Sequence, residues 1–330
     1  MRKERLFTPG PTRLIPEAQL GMSQPLIHHR SDRFKALFKE TQRNLQKIFR
    51  TENDVVILTS SGTGAMEAVV SALLGQGDHA LAVVAGKFGQ RWMEICQTHK
   101  IPCTPLSRKY GRAATDQDIC KALQENADTS VLLIQGCETS TATSHDLERI
   151  AQTVHYHFPK VLIVVDAITA LLTEKVETDL WNLDVVIGGA QKAFGMPPGL
   201  AFLSVSHRAS EKMQSVSSYS YYLNLHQEFL KQRNGQSNFT PAISLIQGLH
   251  KVTGEILRQG PENIIAEAAL MARCTRKGLK SLGFQLVSHA PSNAVTAAFP
   301  PSDIEAPDLV KKLEAETGIK VAGGQGELKN

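Results

Sequence analysis

Short runs of β-branched and aliphatic residues, bounded by turn-forming residues, recur at Val55 to Leu58, His79 to Val84, Val131 to Gln135, Val161 to Val165, Val185 to Ile187 and Leu200 to Val205. Continuous apolar runs this short predict strands buried on both faces. Between them the apolar residues fall at helical spacing, in Gly64 to Leu74, Gly89 to His99, Asp116 to Gln124 and Asp146 to His157. Strand and helix therefore alternate, which predicts an α/β fold around a mainly parallel sheet.

Beyond Thr240-Pro241 a helical pattern runs from Ile243 to Leu282, interrupted at Gln259-Gly260-Pro261 by residues that disfavour helix. Such a helix is expected to link two domains. The remainder predicts a small α+β domain, with strands at Phe284 to Ser288, Ala294 to Ala298 and Ile319 to Ala322 and a helix at Ala306 to Glu316. A chain of 330 residues fits about two domains of ~150 residues. We divide it into an N-terminal arm (1–20), a large domain (21–258) and a small C-terminal domain (259–330).

The net charge of +4 is spread without basic runs, which argues against nucleic acid as the main partner and leaves room for a small anionic ligand. The five cysteines are odd in number, never in CxxC spacing and mostly inside apolar segments. They read as reduced thiols of a cytoplasmic protein, with no disulfide and no metal site. The N-terminal MRKERLFTPGPT has no apolar segment behind its basic residues, and no run of about 18 apolar residues occurs, so neither secretion nor a membrane span is expected.

Lys192 lies in GGAQKAFGMPPGLAF, directly after the strand pattern LDVVIGG. That puts an amine at a strand end, where open α/β sheets bind ligands. Crowding there lowers an ammonium's pKa and frees the neutral amine for Schiff-base chemistry. A surface lysine on a connecting loop is the alternative. Asp166 closes the apolar run Val161 to Val165 and needs a cationic or hydrogen-bonding partner to stay ionised, unless it merely caps a turn or the next helix. The stretch from Thr59 to Gly64, TSSGTG, precedes a helix whose first N–H groups could cradle a phosphate; a plain N-cap is the alternative. An amine, a carboxylate and a phosphate cradle at three βα junctions are together what pyridoxal 5′-phosphate requires of a protein.

These segments resemble the class V aminotransferases of pyridoxal-phosphate fold type I, and most nearly the alanine–glyoxylate and serine–pyruvate or serine–glyoxylate group. The resemblance runs through TPGPTRLIPE, HHRSDRFKALF, TSSGTGAMEA, GKFGQRW, ETSTA, VDAIT, GGAQKAFGMPPGLAF, NFTPAISLIQGL and GIKVAGGQGELK, in that order. It implies Lys192 as the Schiff-base lysine, Asp166 as partner of the pyridine nitrogen, and Ser61, Gly62, Thr63 and Gln191 as phosphate ligands. It also implies Phe88 as the aromatic residue stacked on the cofactor ring, Thr139 as a hydroxyl near the phenolic oxygen, and Thr240 as a phosphate contact to the other subunit of a homodimer. The large domain would then bind the cofactor. Substrates would be a small L-amino acid, alanine or serine, and a small 2-keto acid, glyoxylate or pyruvate.

The chain departs from the family's pattern in three places. Ala142 stands where the motif usually has glycine, and Ser237 where a tyrosine often precedes the NFTP threonine. In the family GGQGELK is followed by a strand carrying Arg-Ile-Gly-His, whose arginine holds the substrate carboxylate, whereas the sequence stops at Asn330. The resemblance thus implies a small domain short of its last strand and helix, and leaves three readings open: a truncated product, another basic residue in the arginine's place, or a cofactor-binding protein with impaired catalysis that serves as a subunit or interaction partner. A cysteine desulfurase or lyase is disfavoured, because those enzymes have histidines where this chain has Gln191 and Phe88.

Overall fold

A computed structural model describes residues 5–329. Seven strands form the main sheet: β1 (Asp54–Leu58), β2 (His79–Val84), β3 (Cys103–Ser107), β4 (Thr129–Gln135), β5 (Leu162–Asp166), β6 (Val185–Gly189) and β7 (Ala201–Val205), in the order β1-β7-β6-β5-β4-β2-β3. All pairs are parallel except the two made by β7, which runs antiparallel to both β1 and β6. The expected mainly parallel α/β sheet is therefore present. The sequence pattern missed the edge strand β3, which carries Pro105 and a half-exposed side; proline is tolerated there because an edge strand has a free side.

Successive side chains of each strand enter opposite layers. Val55, Ile57, Leu81, Val83, Leu132, Ile134, Ile163 and Val165 face one core, under helices α2 (Asp32–Phe49), α5 (Asp116–Glu125), α6 (Leu147–His157) and α9 (Ile243–Gln259). Val56, Leu58, Ala80, Ala82, Val131, Leu133, Val164 and Ile187 face the other, under α3 (Gly62–Leu73), α4 (Lys87–Thr98), α7 (His207–Ser215) and α8 (Leu225–Gln232). Burial on both faces is why the strand sequences are continuously apolar. The free edge of β1 is closed by Gln232, whose amide accepts from Ile57 N at 2.8 Å and donates to Ile57 O at 2.7 Å, a side chain standing in for a neighbouring strand.

Helix starts decide which residues reach the site. Ser61 caps α3, so Gly62 and Thr63 occupy its first turn rather than the loop before it, two residues earlier than the periodicity implied. α4 likewise begins at Lys87 and takes Phe88 into its first turn. α9 and α10 (Pro261–Ser281) are separate helices joined at Gly260, whose φ of 85° suits glycine. α1 (Pro16–Met22) packs on α9.

The C-terminal strands are shorter than expected. Gln285–Leu286 pairs antiparallel with Ala298–Phe299, followed by α11 (Ala306–Thr317). Ile319–Lys320 pairs instead in parallel with Arg5–Leu6, so the N-terminal arm is tied to the far end of the chain. The arm's first four residues lie outside the described part. Among the described residues no helix is long and apolar enough to cross a membrane.

Candidate active site

The carboxyl ends of β1, β2, β4, β5 and β6 lie along one edge of the sheet, and every sequence-predicted residue except Thr240 ends one of these strands or lies within five residues of its end. Lys192 lies three residues beyond β6, in the turn that leads back into β7. Its Nζ donates to Pro9 O at 2.8 Å, and the backbone around it is held by Thr12 Oγ1 and Gly195 N, both donating to Lys192 O. Residues 8–12 of the arm thus lie across the lysine. Burial pulls its pKa below the ordinary lysine value against the opposing field of Asp166, and Arg91 adds a smaller push in the direction of burial. A lowered pKa raises the share of neutral amine.

The approach of the arm depends on Gly10. Its φ is +148°, and a Cβ there would lie 2.7 Å from Lys192 Nζ and 2.8 Å from Cδ. Gly10→Ala is therefore expected to displace the lysine and lower turnover about ten- to a hundredfold, the usual effect of an ångström-scale misplacement. Unchanged steady-state rates with an unchanged fold by circular dichroism would contradict this placement.

Asp166 is the last residue of β5 and 6% exposed. Burial pushes its carboxyl up to about 6, while a 3.0 Å hydrogen bond from Ile168 N, and more weakly Lys192 and Arg91, pull it back. A buried carboxyl so strongly perturbed calls for a cation at its free face. Ile168, two residues on, wedges the loops together: a Cβ on Gly62 would meet its Cδ1 at 2.2 Å, and one on Gly189 its Cγ2 at 3.0 Å. The phosphate cradle of α3, the Asp166 loop and the Lys192 turn are thereby fixed against one another. Ser61 Oγ accepts from Gly64 N at 3.3 Å, and Thr63 Oγ1 accepts from Arg91 Nη1 at 3.1 Å. Gln191 Oε1 is buried with no hydrogen-bond partner.

Phe88 is half-buried, with the Arg91 guanidinium 4.7 Å from its ring centroid. Its backbone is anchored by Glu138, a residue to which sequence reasoning gave no role. The Glu138 carboxylate, 0% exposed, accepts from Phe88 N, Gly89 N, Ser140 N and Ser140 Oγ. It therefore staples the start of α4 to the loop after β4, and a negative charge at a helix N-terminus is favourably placed. Glu138→Ala would strand those buried donors and is expected to lower stability by about 3–5 kcal/mol, read by urea unfolding. A loss below about 1 kcal/mol would show that the staple carries little. The neighbouring Thr139 is buried, and its hydroxyl pairs with that of Thr169 at 2.7 Å, linking the loops after β4 and β5.

Thr240 stands apart. It is exposed, near Thr59, Tyr222 and Phe239, and Ala242 N just beyond it donates to Thr59 Oγ1 at 3.0 Å. Ser237 turns inward and donates to Phe239 O, and Ala142 adopts φ 55°, a left-handed conformation that costs a non-glycine residue about 1 kcal/mol. Tyr221 and Tyr222 are 85% and 51% exposed and lie beside the Phe239 ring.

A family model described as "Aminotransferase class-V" matches residues 18–327. Over 326 residues the chain is 34% identical to an uncharacterized aminotransferase of Helicobacter pylori (strain ATCC 700392 / 26695), which spans 98% of this chain and 86% of that one. It is also 34% identical, over 332 residues, to the soluble hydrogenase 42 kDa subunit of Anabaena cylindrica, with 99% of this chain and 86% of that one covered. Among solved structures, the aspartate aminotransferase of subgroup IV from Thermus thermophilus superposes with a TM-score of 0.93 at 34% identity, covering 99% of this chain and 91% of that one.

Proposed function

We infer the activity from one premise: the chain belongs to the class V aminotransferase family, and its sheet is that of the fold type I pyridoxal-phosphate enzymes. It is an aminotransferase, and we read its cofactor as pyridoxal 5′-phosphate. The residues present suit that group in three respects. Asp166 is a buried carboxyl with no ion pair among the described residues, Gln191 places a side-chain amide there whose NH2 can donate and whose buried Oε1 has no partner, and the first turn of α3 offers N–H groups at Gly62 and Thr63.

When bound, the cofactor supplies an aldehyde and an electron-withdrawing ring that stabilises negative charge at the substrate Cα. Asp166 would hold the proton on the ring nitrogen. Ser61, Gly62, Thr63 and Gln191 would hold the phosphate, the backbone N–H groups at the α3 N-terminus favouring its negative charge. Phe88 would cover one face of the ring and exclude water from it. Thr139, already bonded to Thr169, would present its hydroxyl near the phenolic oxygen. Lys192 would hold the cofactor through its amine and, as a neutral base, would move the proton at the substrate Cα. Thr240, exposed on its own chain, would complete the phosphate site of a second copy in a homodimer.

The observation that carries this reading is geometric: Asp166, 6% exposed, ends β5, half-buried Lys192 lies just past the adjacent strand β6, and Ile168 fixes the first turn of α3 against both loops. The donor is a small L-amino acid, alanine or serine on the resemblance, and the aspartate aminotransferase named above adds aspartate to the choice. The acceptor is glyoxylate or pyruvate, which a pocket separates only weakly because they differ by one methyl group. Incubating the cofactor-loaded protein with each donor and acceptor tests the assignment. Formation of the donor's keto acid supports it; retained cofactor with no donor consumed contradicts it.

A further inference from the structure

α4 places Phe88 and Arg91 three residues apart, on one face of its first turn. The Arg91 side chain bridges two parts of the site, with Nη1 on Thr63 Oγ1 at 3.1 Å and its carbon over the Phe88 ring at 4.7 Å. It is half-buried, and among the described residues it forms no ion pair. A guanidinium withdrawn from water without a carboxylate partner is costly unless an anion arrives.

The hydrogen bonding shows which anion that is. Thr63 Oγ1 accepts from Arg91, so the hydroxyl proton remains for another acceptor, and Ser61 Oγ likewise accepts from Gly64 N. Both hydroxyls belong to the first turn of α3 or its cap, which contains no basic residue. The cradle's own donors are therefore neutral, whereas a phosphate monoester carries close to two negative charges near pH 7. Arg91 is the cation next to them. Asp166 lies within its field but forms no ion pair with it.

We propose that Arg91 is a positioning residue for the cofactor phosphate: it orients the Thr63 hydroxyl toward a phosphate oxygen, adds the positive charge that the cradle lacks, and through the Phe88 ring locks the phosphate loop to the aromatic cover of the cofactor. This rests on the reading of the site given above. The cation–π contact makes the arginine's two roles mechanically one, because the same planar group packs on the ring and donates at its edge.

The test is the affinity of cofactor-free protein for pyridoxal 5′-phosphate and for pyridoxal, which lacks the phosphate, in the wild type and in Arg91→Met and Arg91→Lys. Arg91→Met is expected to weaken pyridoxal 5′-phosphate about ten- to a hundredfold, the range of a hydrogen bond to a charged group, with pyridoxal changed less than about twofold. Arg91→Lys, which keeps the charge but not the planar contact with Phe88, should recover only part of the loss. Equal weakening of both ligands would mark a structural role and overturn the proposal, as would no weakening. An unchanged ratio with a raised KM for the amino donor would reassign the guanidinium to the substrate carboxylate and also overturn it. A wild type that fails to bind pyridoxal 5′-phosphate would instead contradict the assignment of function itself.

Discussion

Lys192→Ala abolishes amino-group transfer, lowering the initial rate of keto-acid formation by at least about 10⁴-fold, the upper range of positioned acid–base catalysis. The substitution removes only the amine and its stem. The hydrogen bonds that shape the turn, from Thr12 Oγ1 and Gly195 N to Lys192 O, use the backbone and survive. The variant should therefore fold, and the bond from Nζ to Pro9 O is the one polar contact forfeited among the described residues. Lys192→Arg controls for charge, because arginine has no neutral form at working pH and cannot take up a proton. A rate above about one hundredth of wild type in either variant would remove Lys192 from the centre of the reaction.

Asp166→Asn has opposite effects in the two states of the protein. With cofactor bound, it deletes the carboxylate opposite the ring nitrogen and should cost about 3–5 kcal/mol of stabilisation, or about 10²- to 10⁴-fold in kcat. Without cofactor, the carboxyl is a burden. Its pKa is 3.8 unfolded and about 6 folded, so the folded state holds the proton more tightly between those values. Stability from this group is therefore complete below about pH 4 and is lost as pH rises through 6, by up to about 3 kcal/mol for a shift of this size. Cofactor-free Asp166→Asn should accordingly be more stable than wild type at pH 8 and equal to it near pH 4. Denaturant midpoints at the two pH values, with and without pyridoxal 5′-phosphate, read both effects. A variant less stable than wild type at pH 8 in the cofactor-free state would show that burial does not dominate at Asp166.

The parts of the fold legible in the sequence were those in which one residue type repeats for a physical reason. Strands covered on both faces must be apolar throughout, so β1, β2 and β4 to β7 stand out, and Asp166 and Lys192 are conspicuous because polar groups close such runs. The edge strand β3 was hidden by Pro105 and its partly exposed side chains. The short C-terminal pairings offer only two residues each, too few for a period.

Within the site, sequence could place groups at strand ends but not across strands. Glu138 acts on Phe88 because β4 and β2 are neighbours in the sheet, and nothing in either segment announces that pairing. The arm reaches Lys192 across 183 positions of sequence, and nothing in TPGPT marks Gly10 as the residue whose missing side chain makes room for the lysine. Nothing in GKFGQRW singles out Arg91, because its role depends on its contact with Thr63, a residue of another helix.

The central claim is that Lys192 carries the cofactor, and borohydride trapping tests it most directly. Reducing the pyridoxal-phosphate-loaded protein converts the covalent link into a stable secondary amine, and peptide mass mapping then locates it. One labelled peptide is expected, spanning Lys192, and no label once an amino donor has displaced the lysine. A label on any other lysine, or a fully loaded protein with none, would contradict it.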